Sequence, residues 1–378
     1  MNAPFVPRCV LVTGGAGFIG VNFVRHVLEQ DPDVRIVNLD LLTYAGNLES
    51  LDEVFRLNGP RGDGRHYFIR AEVRDFATLR SVLAGKGRET PHTDRQARPI
   101  PMPDSVVHMA AESHVDRSIM GPAAFVETNV QGTLTLLEAC RARLAEGEPA
   151  LRFLHVSTDE VYGSLSDSDP AFTEETPLAP NSPYSASKAA SDLLVRAYVE
   201  TFGFPAVITR CSNNYGPYQF PEKLIPLMIT RALGDQPLPV YGDGRNVRDW
   251  LFVIDHVVAL WDVLQRGRLG QVYNIGGEAE RQNLDVVRTL LRILDKPDTL
   301  IRFVNDRPGH DRRYAMNIRK LRGELGWTPQ YGFENALAAT VRWYLDHRSW
   351  WERVLNEAYK ASNALYLHGM DDVPAATS

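Results

Sequence analysis

Cysteine is scarce in this chain, with only Cys9, Cys140 and Cys211 among 378 residues. An odd number without metal-ligand spacing excludes a disulfide framework and fits a reducing, cytoplasmic compartment. Each reads as a small core residue. Long apolar runs are missing too: none reaches the ~18 residues of a membrane span, and residues 1–7 lack the apolar stretch of a signal peptide. Excess charge of one sign is absent, since 41 Lys and Arg face 47 Asp and Glu, a net −6 that speaks against nucleic acid as the main partner. No His, Cys and carboxylate spacing supports a metal, so His108, His114 and His310 read as structural.

What is present is an ordinary globular composition, 44% hydrophobic and 23% charged, in a chain that fits a large α/β domain with a smaller partner and a cleft between them. Short apolar runs predict strands over 9–13, 35–40, 66–70, 105–111, 151–157 and 205–210. Helical spacing fills the gaps between them, as in 21–28, 122–140 or 129–144, and 187–202. Alternation of this kind implies a doubly wound, mostly parallel Rossmann-type sheet. The stretches 85–103 and 165–182, rich in Gly, Pro and charge, read as solvated loops. The expected division gives residues 1–215, with about 246–276, to the nucleotide-binding domain. Residues 216–245 and 277–350 form a smaller α/β substrate lobe, and 351–378 a variable tail whose last residues, 371–378, read as a disordered terminus.

Between the first strand and helix, Gly14, Gly17 and Gly20 form G-x-x-G-x-x-G. Glycine there lets the backbone approach a pyrophosphate seated on the helix N-terminus, although a tight turn without ligand has the same pattern. Asp40 lies 20 residues past Gly20 at the end of the second strand. A carboxylate in that place bonds ribose hydroxyls and repels a 2′-phosphate, which favours NAD over NADP.

Tyr184 and Lys188 are four residues apart and share one helical face. Two surface side chains would look the same. As a functional pair they are a base and its electrostatic support: a tyrosine with a reference pKa of about 10 ionises near neutrality only when a nearby ammonium and a cationic nicotinamide lower it. Adjacent carboxyls, Asp159 and Glu160, follow Thr158 at the C-terminal end of a strand, where open α/β sheets hold their ligands. Such a pair can supply an acid and a base to different atoms of one sugar. A dehydratase needs both; an epimerase needs neither.

With these residues goes a wider set: Leu42-Thr43-Tyr44-Ala45-Gly46-Asn47-Leu48, Ala110-Ala111-Glu112-Ser113-His114-Val115-Asp116, Ser212-Asn213-Asn214-Tyr215-Gly216-Pro217, Arg248-Asp249-Trp250 and Asp306-Arg307-Pro308-Gly309-His310. From about Cys9 to about Tyr344 the chain resembles the dTDP-glucose 4,6-dehydratase family of extended short-chain dehydrogenases/reductases. The resemblance implies an NAD-dependent hydro-lyase that oxidises C4, eliminates water across C5 and C6, and reduces C6 while recycling tightly held NAD.

On that resemblance Thr158, Asp159, Glu160, Tyr184 and Lys188 are catalytic. Phe18, Ile19, Asp40, Leu41, Thr43, Glu72, Val73, Ala110, Ala111, Thr128 and Asn214, with the three glycines, would contact NAD. Ser113, Asn213, Lys223, Leu224, Tyr241, Arg248, Asn283, Arg307 and His310 would face the sugar nucleotide; for Arg248 and Arg307 a surface ion pair is the competing reading. Glu72 replaces the family's usual Asp beside the adenine. The family also implies a homodimer built on paired helices. Two alternatives stay open: a 4,6-dehydratase or epimerase for a UDP- or GDP-linked hexose, and a non-catalytic NAD-binding regulator.

Overall fold

The computed structural model describes residues 4–57, 64–90, 97–147 and 151–362. Twelve strands arrange into three sheets among these residues. The largest contains β1 (Cys9–Thr13), β2 (Arg35–Asp40), β3 (His66–Arg70), β4 (Ser105–His108), β5 (Arg152–Thr158), β6 (Ala206–Cys211) and β10 (Val272–Ile275), in the order β10-β6-β5-β4-β1-β2-β3. All its pairings are parallel.

Parallel strands covered on both faces read as unbroken apolar runs, and β1 is buried at all five positions. Its side chains alternate between two cores. Val10 and Val12 pack with the helices Phe18–Gln30 and Val253–Arg266. Cys9 and Leu11 pack on the other face with Phe76–Leu83, Gly132–Ala145 and Pro183–Phe202.

A smaller sheet sets β9 (Val247–Phe252) between β7 (Asn213–Tyr215) and β11 (Glu280–Gln282), and a third pairs β8 (Leu238–Tyr241) with β12 (Ile301–Val304). A separate core lies beneath them, built by the helices Leu224–Leu233, Asn283–Ile293, Phe333–Asp346 and Arg348–Ser362.

Several expectations change. The fourth strand stops at His108, and residues 109–111 are irregular, although the Met109 N–H still donates to the Thr13 carbonyl of β1 at 3.1 Å. The helix expected from 122 or 129 widens into a π-helical turn over Val126–Gln131 before the α-helix Gly132–Ala145. That turn directs Asn129 inward, where it accepts from the Glu112 N–H at 2.8 Å and donates to the Ser187 hydroxyl at 2.8 Å. Segment 165–182 is not merely solvated: Leu165 and Phe172 are buried with Tyr162, Tyr314 and Met316, and Phe172 stacks on Tyr162 with ring centroids 4.9 Å apart. In the 85–103 segment, the Thr90 N–H donates to the Phe68 carbonyl of edge strand β3 at 2.7 Å, and Ile100 enters the sheet core.

The boundaries near 277 and 350 do not follow the cores. Ile318, Leu321, Leu325 and Trp327 pack with the large sheet, whereas Trp351 and Val354 belong to the second core because the final helix lays its apolar side there. Residues 371–378 lie outside the described residues.

Candidate active site

The C-terminal ends of the large sheet's strands open into a cavity of about 510 Å³, within the range of small-molecule sites. Its wall carries every residue named above as a catalytic, cofactor or substrate candidate, from Gly14 to His310.

At one end lies the glycine turn. Gly14 has φ +75°, and a Cβ there would sit 2.8 Å from the Ala110 Cα. A Cβ on Gly20 would sit 2.2 Å from the Gly14 carbonyl, so only glycine lets the helix meet the turn this closely. The helix Phe18–Gln30 starts from Gly17 with no side-chain cap and no acid in its first turn, leaving a positive backbone end for an anion. Buried Asp40 accepts from the Ala16 and Leu42 N–H groups at 2.9 and 2.7 Å, while burial pushes its pKa upward.

The reaction end forms where β5 stops. Thr158 caps the helical turn Asp159–Tyr162 by accepting from the Glu160 N–H at 3.3 Å. Consecutive carboxyls therefore enter different surroundings: Asp159 is buried, Glu160 only partly so. Burial, then Glu160 and Asp249, push the Asp159 pKa well above the carboxylate range. Its Oδ1 accepts from the Thr158 hydroxyl at 3.2 Å, and its Oδ2 is buried without a partner. Burial raises Glu160 as well, against the pull of Arg307, Lys223 and Arg248.

Tyr184 sits in the first turn of Pro183–Phe202, whose start is fixed by Pro183 and a reciprocal Ser182–Ser185 capping box. The protein pushes its phenol well above 10, through burial and then Glu160, with a Thr158 hydrogen bond opposing. Lowering of the phenol by the ammonium and a cationic nicotinamide together is an expectation for the cofactor-bound site. The Lys188 ammonium donates to the Val156 carbonyl at 2.9 Å, and burial depresses its pKa against the raising influence of Asp192. Asp192 in turn accepts from Arg210 Nε at 2.8 Å.

Toward the second lobe, the cavity wall turns cationic. Arg248 is no surface ion pair: it is buried, donating to the Val247 and Asp311 carbonyls at 2.8 and 2.9 Å, with its guanidinium 4.3 Å over the Tyr314 ring. Arg307 does pair with Asp116, at 3.3 Å, but inside the cavity rather than on the surface. Lys223 donates to the Ser113 carbonyl at 2.6 Å. His310 is lowered to about 4 by burial and then Arg307, so it is neutral at pH 7. Buried and unpartnered on the same wall are Ser157 Oγ, Asn213 Oδ1, Asn283 Oδ1 and Arg307 Nε, polar atoms whose hydrogen bonds a ligand can complete.

The cavity also includes residues that the sequence did not assign to the site, among them Ser157, Cys211, Ser212 and Glu222. Position at strand ends was the available signal for the first three. Cys211 is a core residue, as expected, that also borders the cavity; burial and then Asp159 push its thiol to about 12. Among the described residues no group of three or more His, Cys, Asp or Glu could hold a metal ion, and no helix is long and apolar enough to cross a membrane.

A family model described as GDP-mannose 4,6 dehydratase matches residues 11–340. The dTDP-glucose 4,6-dehydratase of Xanthomonas campestris is 52% identical over 363 residues, 93% of this chain and 97% of the relative. The chain belongs to the dTDP-glucose 4,6-dehydratase family. The enzyme of that name from Neisseria meningitidis is also 52% identical, over 93% of this chain and 98% of its own. A solved dTDP-glucose 4,6-dehydratase from Streptomyces venezuelae, with NAD bound, superposes with a TM-score of 0.81 at 47% identity, covering 92% of this chain and 99% of that one. A UDP-glucuronic acid 4-epimerase from Bacillus cereus has a TM-score of 0.77 but 28% identity, covering 89% and 99%. Dehydratases and epimerases share the fold, so the family rests on sequence identity rather than on fold alone.

Proposed function

We propose that this chain is an NAD-dependent dTDP-glucose 4,6-dehydratase, converting dTDP-glucose to dTDP-4-keto-6-deoxy-glucose and water. The observation that carries the reading is the pair Asp159 and Glu160 beside Tyr184, with burial pushing the Asp159 pKa upward as an acid requires. Residues 14–20 and Asp40 suit NAD: a glycine turn, an uncapped helix N-terminus for the pyrophosphate, and a carboxylate for the ribose. Phe18, Ile19, Thr43, Val73, Ala110, Thr128 and Asn214 would complete its walls, with Lys188 at the nicotinamide ribose. When bound, NAD supplies the acceptor for the C4 hydride, a positive charge near the phenol, and the return of that hydride to C6.

The chain's own groups manage the protons. Tyr184, as the phenolate, takes the proton of the C4 hydroxyl, and the Thr158 hydroxyl supports the phenolate when it turns from Asp159 to donate to it. With C4 a ketone, the C5 proton is acidic and Glu160 removes it. Asp159, neutral through burial, gives its proton to the C6 hydroxyl, which leaves as water. Glu160 then returns its proton to C5. One proton has been gained at Tyr184 and one lost at Asp159, and the Thr158 hydroxyl, bonded to Asp159 Oδ1, would relay it from one to the other and restore the balance. Lys223, Arg248 and Arg307 supply positive charge for the diphosphate.

A homodimer fits the exposed apolar side chains Leu134, Leu193 and Phe202 on the helices Gly132–Ala145 and Pro183–Phe202. The free, buried state of all three cysteines supports a reducing, cytoplasmic setting.

A second reading, action on a GDP-linked hexose, is favoured by the description of the matching family model. Incubating the purified protein with dTDP-glucose, UDP-glucose and GDP-mannose separately distinguishes the two. Mass spectrometry should find loss of one water from dTDP-glucose; dehydration of another donor instead would transfer the assignment to that nucleotide.

A further inference from the structure

The loop after β2 runs along the cavity beside Asp40, with Thr43, Ala45 and Gly46 on the wall. Both its ends are tied to the glycine turn. Asp40 joins Ala16 to Leu42, and the Asn47 N–H donates to the Ala16 carbonyl at 3.0 Å. The crown of the loop is held by other elements. The Tyr44 hydroxyl donates to Glu222 Oε1 at 3.0 Å, the Arg117 guanidinium lies 3.6 Å over the Tyr44 ring, and Phe220 meets that ring edge-on at 5.5 Å. Arg117 also approaches Glu222, at 3.8 Å. Leu42 has φ +59°, a left-handed conformation that a branched residue keeps only when its surroundings impose it.

We propose that Tyr44, Glu222 and Arg117 form a clasp that retains NAD in the cleft through successive turnovers, with Tyr44 as a positioning residue for the loop 41–47. This rests on the reading of the glycine turn and Asp40 as the NAD site. Three elements meet at Tyr44: the loop beside Asp40, the helix Val115–Met120 that carries Arg117, and the segment before Leu224–Leu233 that carries Glu222. Moving the loop away from Asp40 breaks the Tyr44 hydrogen bond and unstacks Arg117. It also strips Glu222 of its phenol donor in a poorly hydrated place, which makes opening unfavourable. Trp350 supports the adjoining turn Leu48–Leu51, its indole N–H donating to the Ser50 hydroxyl at 3.0 Å. A redox-neutral cycle ends with the cofactor in its starting state, so a closed clasp does not slow turnover.

The test is exchange of bound NAD from the purified holoenzyme against excess isotopically labelled NAD, followed by mass spectrometry. Tyr44→Phe, which keeps the ring and removes only the hydroxyl, should exchange roughly tenfold faster than the parent, the loss of one hydrogen bond to a charged group. Glu222→Gln should behave similarly, and the double variant should exchange no faster than the faster single one. Arg117→Leu, which removes the stack, should also speed exchange, and added NAD should restore steady turnover to Tyr44→Phe. Parent-like exchange in folded Tyr44→Phe and Arg117→Leu, or fully multiplicative effects in the double variant, would overturn the clasp. A parent protein that neither carries nor binds NAD would overturn the cofactor reading, and the clasp with it.

Discussion

The Thr158 hydroxyl donates to Asp159 Oδ1 at 3.2 Å. The same residue draws the Tyr184 pKa down against burial and Glu160, so one small group acts on both the acid and the base. Thr158→Val keeps the shape of the site and removes this link. We expect kcat to fall about 10²-fold, the scale of acid–base assistance, with Thr158→Ser recovering most of it in a steady-state assay.

Glu160 is the group assigned to C5. Glu160→Gln should retain bound NAD while water loss slows by roughly 10³-fold. Deuterium from solvent should no longer enter C5, as read by NMR of the product. Turnover at the parental rate, with label at C5, would remove Glu160 from the mechanism.

Asp159 links activity to pH and to stability with a definite sign. Its folded-state pKa is raised, so the acid is active below that value and activity falls as pH rises through it. Stability follows the same direction: the contribution is complete below the unfolded value near 4 and is lost progressively above it. Asp159→Asn, uncharged at every pH, should therefore be nearly inactive yet melt roughly 2 °C above the parent at pH 8, with no difference at pH 4. Calorimetry at matched NAD content measures this.

Phe172 anchors the 165–182 segment on Tyr162, whose hydroxyl donates to Asn274 and accepts from Arg210, both at 2.8 Å. Phe172→Ala should destabilise the protein by about 3 kcal/mol, the scale of a buried aromatic truncation. Urea unfolding at constant cofactor content would reveal it; a surface loop would give a change near zero.

Much of this arrangement is legible in the chain because local rules set it. The strands over 9–13, 35–40 and 66–70 have the predicted bounds, since each is a short run centred on buried apolar residues. Gly14 and Gly20 announce close backbone approaches, and the spacing of Tyr184 and Lys188 fixes their shared helical face. What escaped depends on distant partners. Glu222 and Tyr44 are 178 positions apart, and nothing in either neighbourhood encodes their meeting. The same holds for Phe172, which reads as a loop residue until residues 313–316 pair with its segment.

Strand β9 has a consequence for how the cleft works. Leu251 enters the core of the large sheet, while its neighbours Trp250 and Phe252 enter the second core. A single extended segment thereby rivets the two bodies together, and any hinge rotation between them would tear alternate side chains from one hydrophobic interior or the other. The halves should melt as one cooperative unit, and ligand entry falls to side chains and surface loops rather than to jaw-like closure.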